Sequence, residues 1–226
     1  MTNSFKAFSA LLSYPTEELK SAIGEIRDVI FVEAMAPRWA LDQLSPLLKE
    51  IETLDLYELQ ERYVFLFDRT RSLSLHLFEH VHGESRDRGQ AMVDLRQLYA
   101  DAGLDADARE LPDFLPMFLE YLSTRPAAEA RALLGEPLTV IAALKERLAR
   151  RKSPYAAVLR VLEAIAGVSP SPKELDALRK APDDDPNNLE ALDALWEDQP
   201  VTFGPTSLDG NAGCSSPPPS GATIRS

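Results

Sequence analysis

The chain has 226 residues, of which 45% are hydrophobic and 27% are charged, the balance of a globular protein with one substantial core or two small ones. Its 24 basic and 36 acidic residues give a formal net charge of −12, which argues against a nucleic-acid partner because phosphates require a basic surface. An acidic surface favours a basic segment of another protein instead, although it would equally serve solubility alone.

The sequence contains no signal for a membrane or an oxidising compartment. No stretch is long and apolar enough to span a bilayer, and the first fifteen residues lack the ordered basic, apolar and cleavage regions of a signal peptide. The single cysteine, Cys214, cannot form an internal disulfide, which fits a reducing compartment. We therefore expect a cytoplasmic protein without stable membrane association.

Apolar residues recur every three or four positions along most of the chain, which is the spacing of one face of an α-helix. In chain order, these stripes cover residues 19–30, 41–51, 56–66, 91–102, 111–122, 138–148 and 155–165. Gly103 follows one stripe as a helix-ending residue. Ser171 and Pro172 resemble a helix start, and Glu174 completes a capping box in which it would accept a hydrogen bond from the Ser171 amide.

These patterns predict an all-α protein. Strand-like alternation is confined to the fragment Val201–Phe203. We predict a single helical bundle domain of roughly eight to ten helices over residues 1–199. Residues 200–226 form a Pro/Gly/Ser-rich tail, which is predicted to be disordered because it cannot bury enough apolar surface to offset the entropy of ordering.

The segment Leu77–Met92, LFEHVHGESRDRGQAM, has the densest mixture of charges and imidazoles in the chain. It contains His80 and His82, and His76 lies one residue upstream of it. Such groups are costly to bury beside apolar residues unless each one finds a partner. The segment therefore indicates either a catalytic or metal site, or a polar network that shapes a binding surface.

A metal site would use the histidines. His76 and His80 are four positions apart and would share one helical face, while His82 would join them only if the helix ended near Val81. The order of residues differs from the His-Glu-x-x-His pattern of zinc proteases, and no cysteine pair is present. Hydrogen-bonded structural or surface histidines are therefore favoured over a metal site.

Acid–base catalysis is the other chemical alternative, with Glu79, Glu84 and Asp87 as candidate carboxylates. Arg86 and Arg88 are interleaved with them, and ion-paired carboxylates stay charged instead of titrating near neutrality. The sequence has neither a Gly-x-Ser-x-Gly elbow nor a glycine-rich phosphate loop. A metal-binding protein or a hydrolase that uses the three histidines remains the alternative to a binding protein.

The charged segment and its surroundings resemble a known family. The block LFEHVHGESRDRGQAMVDL, with FDRTRSLSL before it and ELPDFLPMFLEYL after it, is similar to the NarJ family of respiratory nitrate reductase assembly chaperones. The early LLSYP and the late LDALWEDQPVTF are also similar, so that the resemblance covers about residues 11–203.

This resemblance implies an all-helical cytoplasmic chaperone with no catalytic activity and no cofactor of its own. Its partner would be the apo catalytic α subunit of nitrate reductase, bound through the N-terminal leader and held open while iron–sulfur clusters and the molybdenum cofactor are inserted. Docking at the membrane would follow. Molybdenum cofactor delivery proteins are a further class of partner to be expected.

The leader would lie as an amphipathic helix in an apolar groove beside acidic groups. The predicted peptide-binding residues share a position in the charged segment or in the apolar stripe after it: Glu79, His80, His82, Glu84, Arg86, Asp87, Arg88, Phe114, Met117 and Tyr121. Arg86 and Arg88 would pair internally, and the histidines would hydrogen-bond at the turn. An equally supported interpretation is that the charged segment only fixes the shape of the turn and that residues 114–121 belong to the core.

Overall fold

The computed structural model describes residues 2–81, 86–104 and 110–183, which all belong to one unit that comprises residues 1–188. In chain order the α-helices are α1 (Asn3–Leu12), α2 (Glu17–Glu33), α3 (Arg38–Leu41), α4 (Ser45–Thr53), α5 (Leu56–Tyr63), α6 (Leu77–Val81), α7 (Arg86–Asp101), α8 (Leu115–Ser123), α9 (Ala127–Leu134), α10 (Leu138–Arg150), α11 (Ala156–Ala166) and α12 (Pro172–Lys180). Across these ranges there is no β-strand.

The all-α prediction is confirmed. The described residues contain twelve α-helices, of which α3 and α6 have only four and five residues. The other ten agree with the prediction of roughly eight to ten helices. The predicted domain boundary at residue 199, the predicted disorder of the tail and the strand-like fragment at 201–203 lie outside the described residues and stay predictions. None of the helices in the described part of the chain is both long and apolar enough to cross a membrane.

Several helix ends follow the local signals in the sequence. The Thr16 hydroxyl accepts a hydrogen bond from the Leu19 amide at 3.2 Å and so caps α2. Gly103 has a φ of +74° after the last turn of α7, the left-handed conformation that glycine adopts without strain. These ends depend on neighbours in sequence, which is why the sequence predicts them.

The predicted capping box at the start of α12 is wrong, because the Ser171 side chain makes no capping hydrogen bond and the Ser171 amide has another partner. Ser171 is the N-cap and Pro172 the first helical residue, as expected. However, the Ser171 amide donates to Thr139 Oγ1 of α10 at 3.1 Å. Because a tertiary contact already satisfies this amide, Glu174 is not required to cap it.

Helices α1 and α9 were not among the predicted stripes. Helix α1 carries Phe5, Phe8, Leu11 and Leu12, all fully buried, and packs against α2 and α8. Its N-terminus is capped from a distance, because the amides of Asn3 and Ser4 donate to the two carboxylate oxygens of Glu33 at 2.9 and 2.8 Å.

The other half of the core lies between α10 and α11, which pack on each other along their length. Their facing positions are apolar and fully buried, as the 3.6-residue period requires. The residues with the lowest exposure on these two helices are Ile141, Leu148, Val158, Leu159, Val161 and Leu162. Helix α11 also contacts α1, α3 and α9, and so joins the two halves.

The segment between α5 and α6 places the charged segment next to α8. After α5 the chain makes a π-helical turn, Val64–Asp68, a feature that is frequent at functional sites. Leu75 and His76 then run antiparallel to the start of α8, where the Leu115 amide donates to the Leu75 carbonyl at 2.9 Å and the Leu77 amide donates to the Asp113 carbonyl at 3.0 Å. Helix α6 therefore begins directly beside α8.

Candidate functional site

Asp113 anchors the start of α6. Its side chain is fully buried, with Oδ1 3.1 Å from Nδ1 of His76 and Oδ2 accepting a hydrogen bond from the Phe78 amide at 3.0 Å. Because an ionised carboxylate only accepts, Nδ1 carries the proton. This hydrogen bond raises the pKa of His76 above its ordinary value, although burial acts in the opposite direction.

His80 is held by a different partner. Its Nε2 lies 2.8 Å from the Ser74 carbonyl oxygen, which can only accept, so Nε2 carries a proton. Burial lowers the pKa of His80, an effect that the hydrogen bond to Ser74 partly offsets. The native environment therefore favours a neutral imidazole at this position.

These contacts favour structural histidines over a metal site. The expectation that His76 and His80 share a helical face is wrong, because α6 begins only at Leu77 and His76 lies in the bridge to Phe114. Each ring donates to its own acceptor. Within the described residues, no group of three or more His, Cys, Asp or Glu side chains is arranged to hold a metal ion. His82 lies outside those residues.

Glu79 and Arg88 connect α6 to α7 through an ion pair in which Glu79 Oε1 and Arg88 Nη2 are 3.5 Å apart. This agrees with the internal pairing expected for Arg88 and means that the charge of Glu79 is partly neutralised within the fold. Glu84 and the side chains of Arg86 and Asp87 lie outside the described residues, so that their assignments stay predictions.

The three apolar candidates on and before α8 occupy different environments. The Phe114 ring packs 5.3 Å from the His76 ring, and Met117 is partly buried against the core. Tyr121 is only 2% exposed and contacts Tyr99 at 5.3 Å between ring centres. Tyr121 therefore contributes to the core in this conformation, and direct contact between these residues and a client stays a prediction.

A pocket of about 310 Å³ opens between α6, α8, α10 and α12, with α7 along one side; we call it the α6–α10 pocket. Its lining is predominantly apolar. The apolar lining residues are Leu77, Phe78, Val81, Leu95, Phe118, Pro137 and Val140, and the polar ones are Glu136, Thr139 and Glu174. Val81 lies at its mouth and is 61% exposed.

The charged residues that the structure describes in the pocket lining are both acidic. Glu136, in the turn before α10, and Glu174, in the first turn of α12, are exposed, and neither has an ion-pair partner among the residues that the structure describes. Among the described residues that line the pocket, none is a lysine or an arginine. The surface therefore combines an apolar floor with two carboxylates, which suits a basic amphipathic ligand.

Two other pockets are lined by both acidic and basic side chains. One, of about 740 Å³ between α2, α3 and α4, is lined by Arg27, Arg38 and Lys49 as well as by acidic residues. The other, of about 400 Å³ beside the π-helical turn, contains Arg62, which pairs with Glu50 and Glu58. Neither presents the uncompensated negative rim of the α6–α10 pocket.

Arg147 fixes two walls of the α6–α10 pocket relative to each other. This buried residue of α10 donates through Nη1 to the Ser72 carbonyl at 2.6 Å and through Nη2 to the Leu178 carbonyl at 2.8 Å. Ser72 precedes α6 and Leu178 lies in α12. The planar guanidinium reaches the two acceptors through two separate nitrogens, a geometry that the single ammonium nitrogen of a lysine does not reproduce.

Sequence reasoning missed Glu136, Glu174 and Arg147 as site residues. Each lies more than 40 positions after the charged segment, and only long-range packing brings them to α6. The sole sequence signal was the capping box of Glu174, which pointed to a different role.

Comparison with known proteins gives consistent results. The family model described as nitrate reductase delta subunit matches residues 17–160. Over 197 residues the chain is 42% identical to the nitrate reductase molybdenum cofactor assembly chaperone NarJ of Escherichia coli (strain K12), and the alignment covers 86% of this chain and 82% of that protein. Over 198 residues it is 38% identical to NarW of the same strain, named as a probable chaperone of the same kind, with 88% and 82% covered.

Similarity to a solved structure extends to the fold. The crystal structure of a candidate redox enzyme maturation protein from Archaeoglobus fulgidus superposes with a TM-score of 0.53. It covers 74% of this chain and 94% of that one, at 20% sequence identity.

Proposed function

The chain belongs to the nitrate reductase delta subunit family, and from this premise we propose that it is an enzyme-specific assembly chaperone for the catalytic α subunit of a respiratory nitrate reductase. It binds the N-terminal leader of the apo subunit and keeps that subunit competent for insertion of the molybdenum cofactor and iron–sulfur clusters before membrane docking. It acts in the cytoplasm, without catalysis of its own, and alongside proteins that deliver the molybdenum cofactor.

The observation that carries this proposal is the α6–α10 pocket. The pocket has a volume of about 310 Å³. A helix with its side chains is about 10–12 Å across and does not fit inside. The leader helix therefore lies across the mouth and inserts one or two apolar side chains between Val81, Leu95 and Phe118.

This mode of binding gives moderate affinity. Complete burial of one large apolar side chain contributes about 1.5–3 kcal/mol, while folding of a disordered segment on binding costs about 2–5 kcal/mol. Two anchors contribute little more than this cost, so that contacts along the rest of the leader supply the remaining binding free energy. A chaperone must release its client for assembly to proceed, and a shallow pocket of this size serves that requirement.

The charged segment has a supporting role in this proposal. Asp113 holds the first turn of α6 through the Phe78 amide and His76, and the Glu79–Arg88 pair holds α6 against α7. These contacts fix the position of Leu77, Phe78 and Val81 in the pocket lining. The segment thus shapes the surface that receives the leader.

Calorimetric titration with a synthetic leader of the nitrate reductase α subunit tests the proposal. We expect saturation at one site. Val81→Gln removes part of an apolar contact worth about 1 kcal/mol, so that binding weakens by about fivefold. Val32→Gln is the matched control, because Val32 is also a helical valine, is 82% exposed and does not line the α6–α10 pocket.

Two results would count against the proposal. One is the absence of leader binding to the wild-type protein at any pH or salt concentration at which it is folded. The other is equal weakening by Val81→Gln and Val32→Gln, which would place the leader elsewhere. In cells, a strain without this protein is expected to accumulate nitrate reductase that lacks molybdenum.

A further inference from the structure

We infer that Glu136 and Glu174 are the residues that select the client, by binding lysine or arginine side chains next to the apolar anchor of the client helix. The client is then recognised as a helix with an apolar side chain and basic residues within one turn of it on the same face. This inference rests on the proposed function and adds to it the residues that determine specificity.

Two other carboxylates on α6 and α10 are already engaged by cations of the fold. Glu79 pairs with Arg88 at 3.5 Å, and Glu146 on α10 pairs with Arg179 at 2.7 Å. Glu136 and Glu174 have no such partner among the described residues. A basic side chain of the client can pair with Glu136 or Glu174 without displacing an arginine of the fold. Ion pairs with these two residues therefore contribute most to binding.

The start of α12 keeps Glu174 available. In a capping box its carboxylate would turn back to the Ser171 amide, but that amide donates to Thr139 Oγ1 instead. Thr139 itself lines the pocket together with Glu174. The same hydrogen bond thus attaches α12 to α10 and relieves Glu174 of a local structural role.

The apolar surroundings make the two carboxylates selective. Glu136 adjoins Pro137, and Glu174 lies in the same lining as Val140 and Phe118. The aliphatic stem of a lysine or arginine can cover such apolar surface while its charged end reaches a carboxylate. A client with a neutral or acidic residue at this position would lose the ion pair or face repulsion, which is how specificity against other helices arises.

The test compares Glu136→Gln/Glu174→Gln with the control Glu25→Gln/Glu120→Gln. Both double variants remove two negative charges from a net charge of −12. All four residues are exposed, and Glu25 and Glu120 do not line the α6–α10 pocket. The probes are the synthetic leader and a version in which its lysines and arginines are glutamines. Melting temperatures confirm that all variants are folded.

We expect the site variant to bind the native leader about 3- to 30-fold more weakly than wild type, from two partly exposed ion pairs, with a slower association rate and a smaller dependence on salt. The neutralised leader should bind wild type and the site variant equally. The control should behave as wild type does with both probes. Charge reversal, Glu136→Lys/Glu174→Lys, should bind a leader with glutamates at the basic positions better than it binds the native leader.

Equal binding of the native leader by the site and control variants would overturn the inference. So would a site variant that still prefers the native over the neutralised leader as strongly as wild type does. In both cases the wild-type protein binds the leader, and the proposed function stands. Failure of wild type to bind any leader would instead remove the proposed function, and the inference with it.

Discussion

His76 and Asp113 are 37 positions apart in the chain, yet His76 Nδ1 lies 3.1 Å from Asp113 Oδ1. The other oxygen of Asp113 accepts from the Phe78 amide at 3.0 Å. One buried carboxylate therefore holds both the last residue before α6 and the second residue of that helix. Because Leu77, Phe78 and Val81 line the α6–α10 pocket, this pair controls the geometry of one of its walls.

The first prediction concerns the pH dependence of this pair. The hydrogen bond that His76 donates to Asp113 raises the pKa of His76 above its ordinary value of 6.5. A group whose pKa is higher in the folded state stabilises the fold fully below its unfolded-state pKa, and this contribution disappears as pH rises through the folded-state pKa. We expect Asp113→Asn to lower the pKa of His76, measured by NMR titration of the imidazole.

Measurement of the free energy of unfolding tests the same pair in a second way. The free energy of unfolding of wild type should exceed that of Asp113→Asn by the largest amount below pH 6.5. This excess should decrease as pH rises from 6.5 through the pKa of His76 in the folded protein. Burial lowers the pKa of His80, so that the contribution of His80 to stability changes with pH in the opposite direction. The two proteins are compared because this contribution is common to both and cancels in the difference. An unchanged His76 pKa in the variant would contradict the assignment of Asp113 as its cause.

Local sequence patterns predicted the long helices well. Helices α2, α10 and α11 bury residues at three- and four-residue spacing, and this spacing is a property of adjacent turns alone. Helix α9 was missed because its sequence, AAEARALL, has small apolar residues with little contrast to the polar ones. Helix α1 also forms part of the core, although no helix was predicted there.

The candidate site was predicted less completely, because its parts come from distant positions. The sequence pointed to the charged segment and to internal pairing of Arg88, and its partner Glu79 lies within the same short stretch of chain. Asp113, Arg147 and Glu174 join that stretch only through tertiary packing. At Glu174 the local rule was overridden outright, since Thr139 satisfies the amide that Glu174 was expected to cap.

The second prediction tests a helix cap that no local pattern reveals. Glu33 accepts hydrogen bonds from the Asn3 and Ser4 amides at the N-terminus of α1. Its negative charge also interacts favourably with the helix dipole there. Glu33→Ala should lower the free energy of unfolding by about 0.5–2 kcal/mol. Glu25→Ala, an exposed residue of the same helix without these bonds, is the control. Equal effects of the two changes in urea unfolding would show that the cap contributes nothing.

The third prediction concerns Arg147, whose two hydrogen bonds join the segment before α6 to α12. Arg147→Met leaves the Ser72 and Leu178 carbonyls without these donors, at about 1–3 kcal/mol for an unsatisfied buried group such as the Ser72 carbonyl and less for the part-buried Leu178 carbonyl. We expect a loss of about 2–5 kcal/mol in urea unfolding. Arg147→Lys should recover only part of it, because one ammonium group cannot reproduce the planar fork.

The same variants distinguish a role in the pocket from a role in stability alone. Since Arg147 sets the distance between α6 and α12, Arg147→Lys should weaken leader binding under conditions in which it is fully folded. Arg150→Lys is the matched control, because Arg150 lies on the same helix and its side chain is 53% exposed in its pair with Asp183. A folded Arg147→Lys protein that binds the leader as tightly as Arg150→Lys does would show that the walls of the pocket keep their positions without the guanidinium.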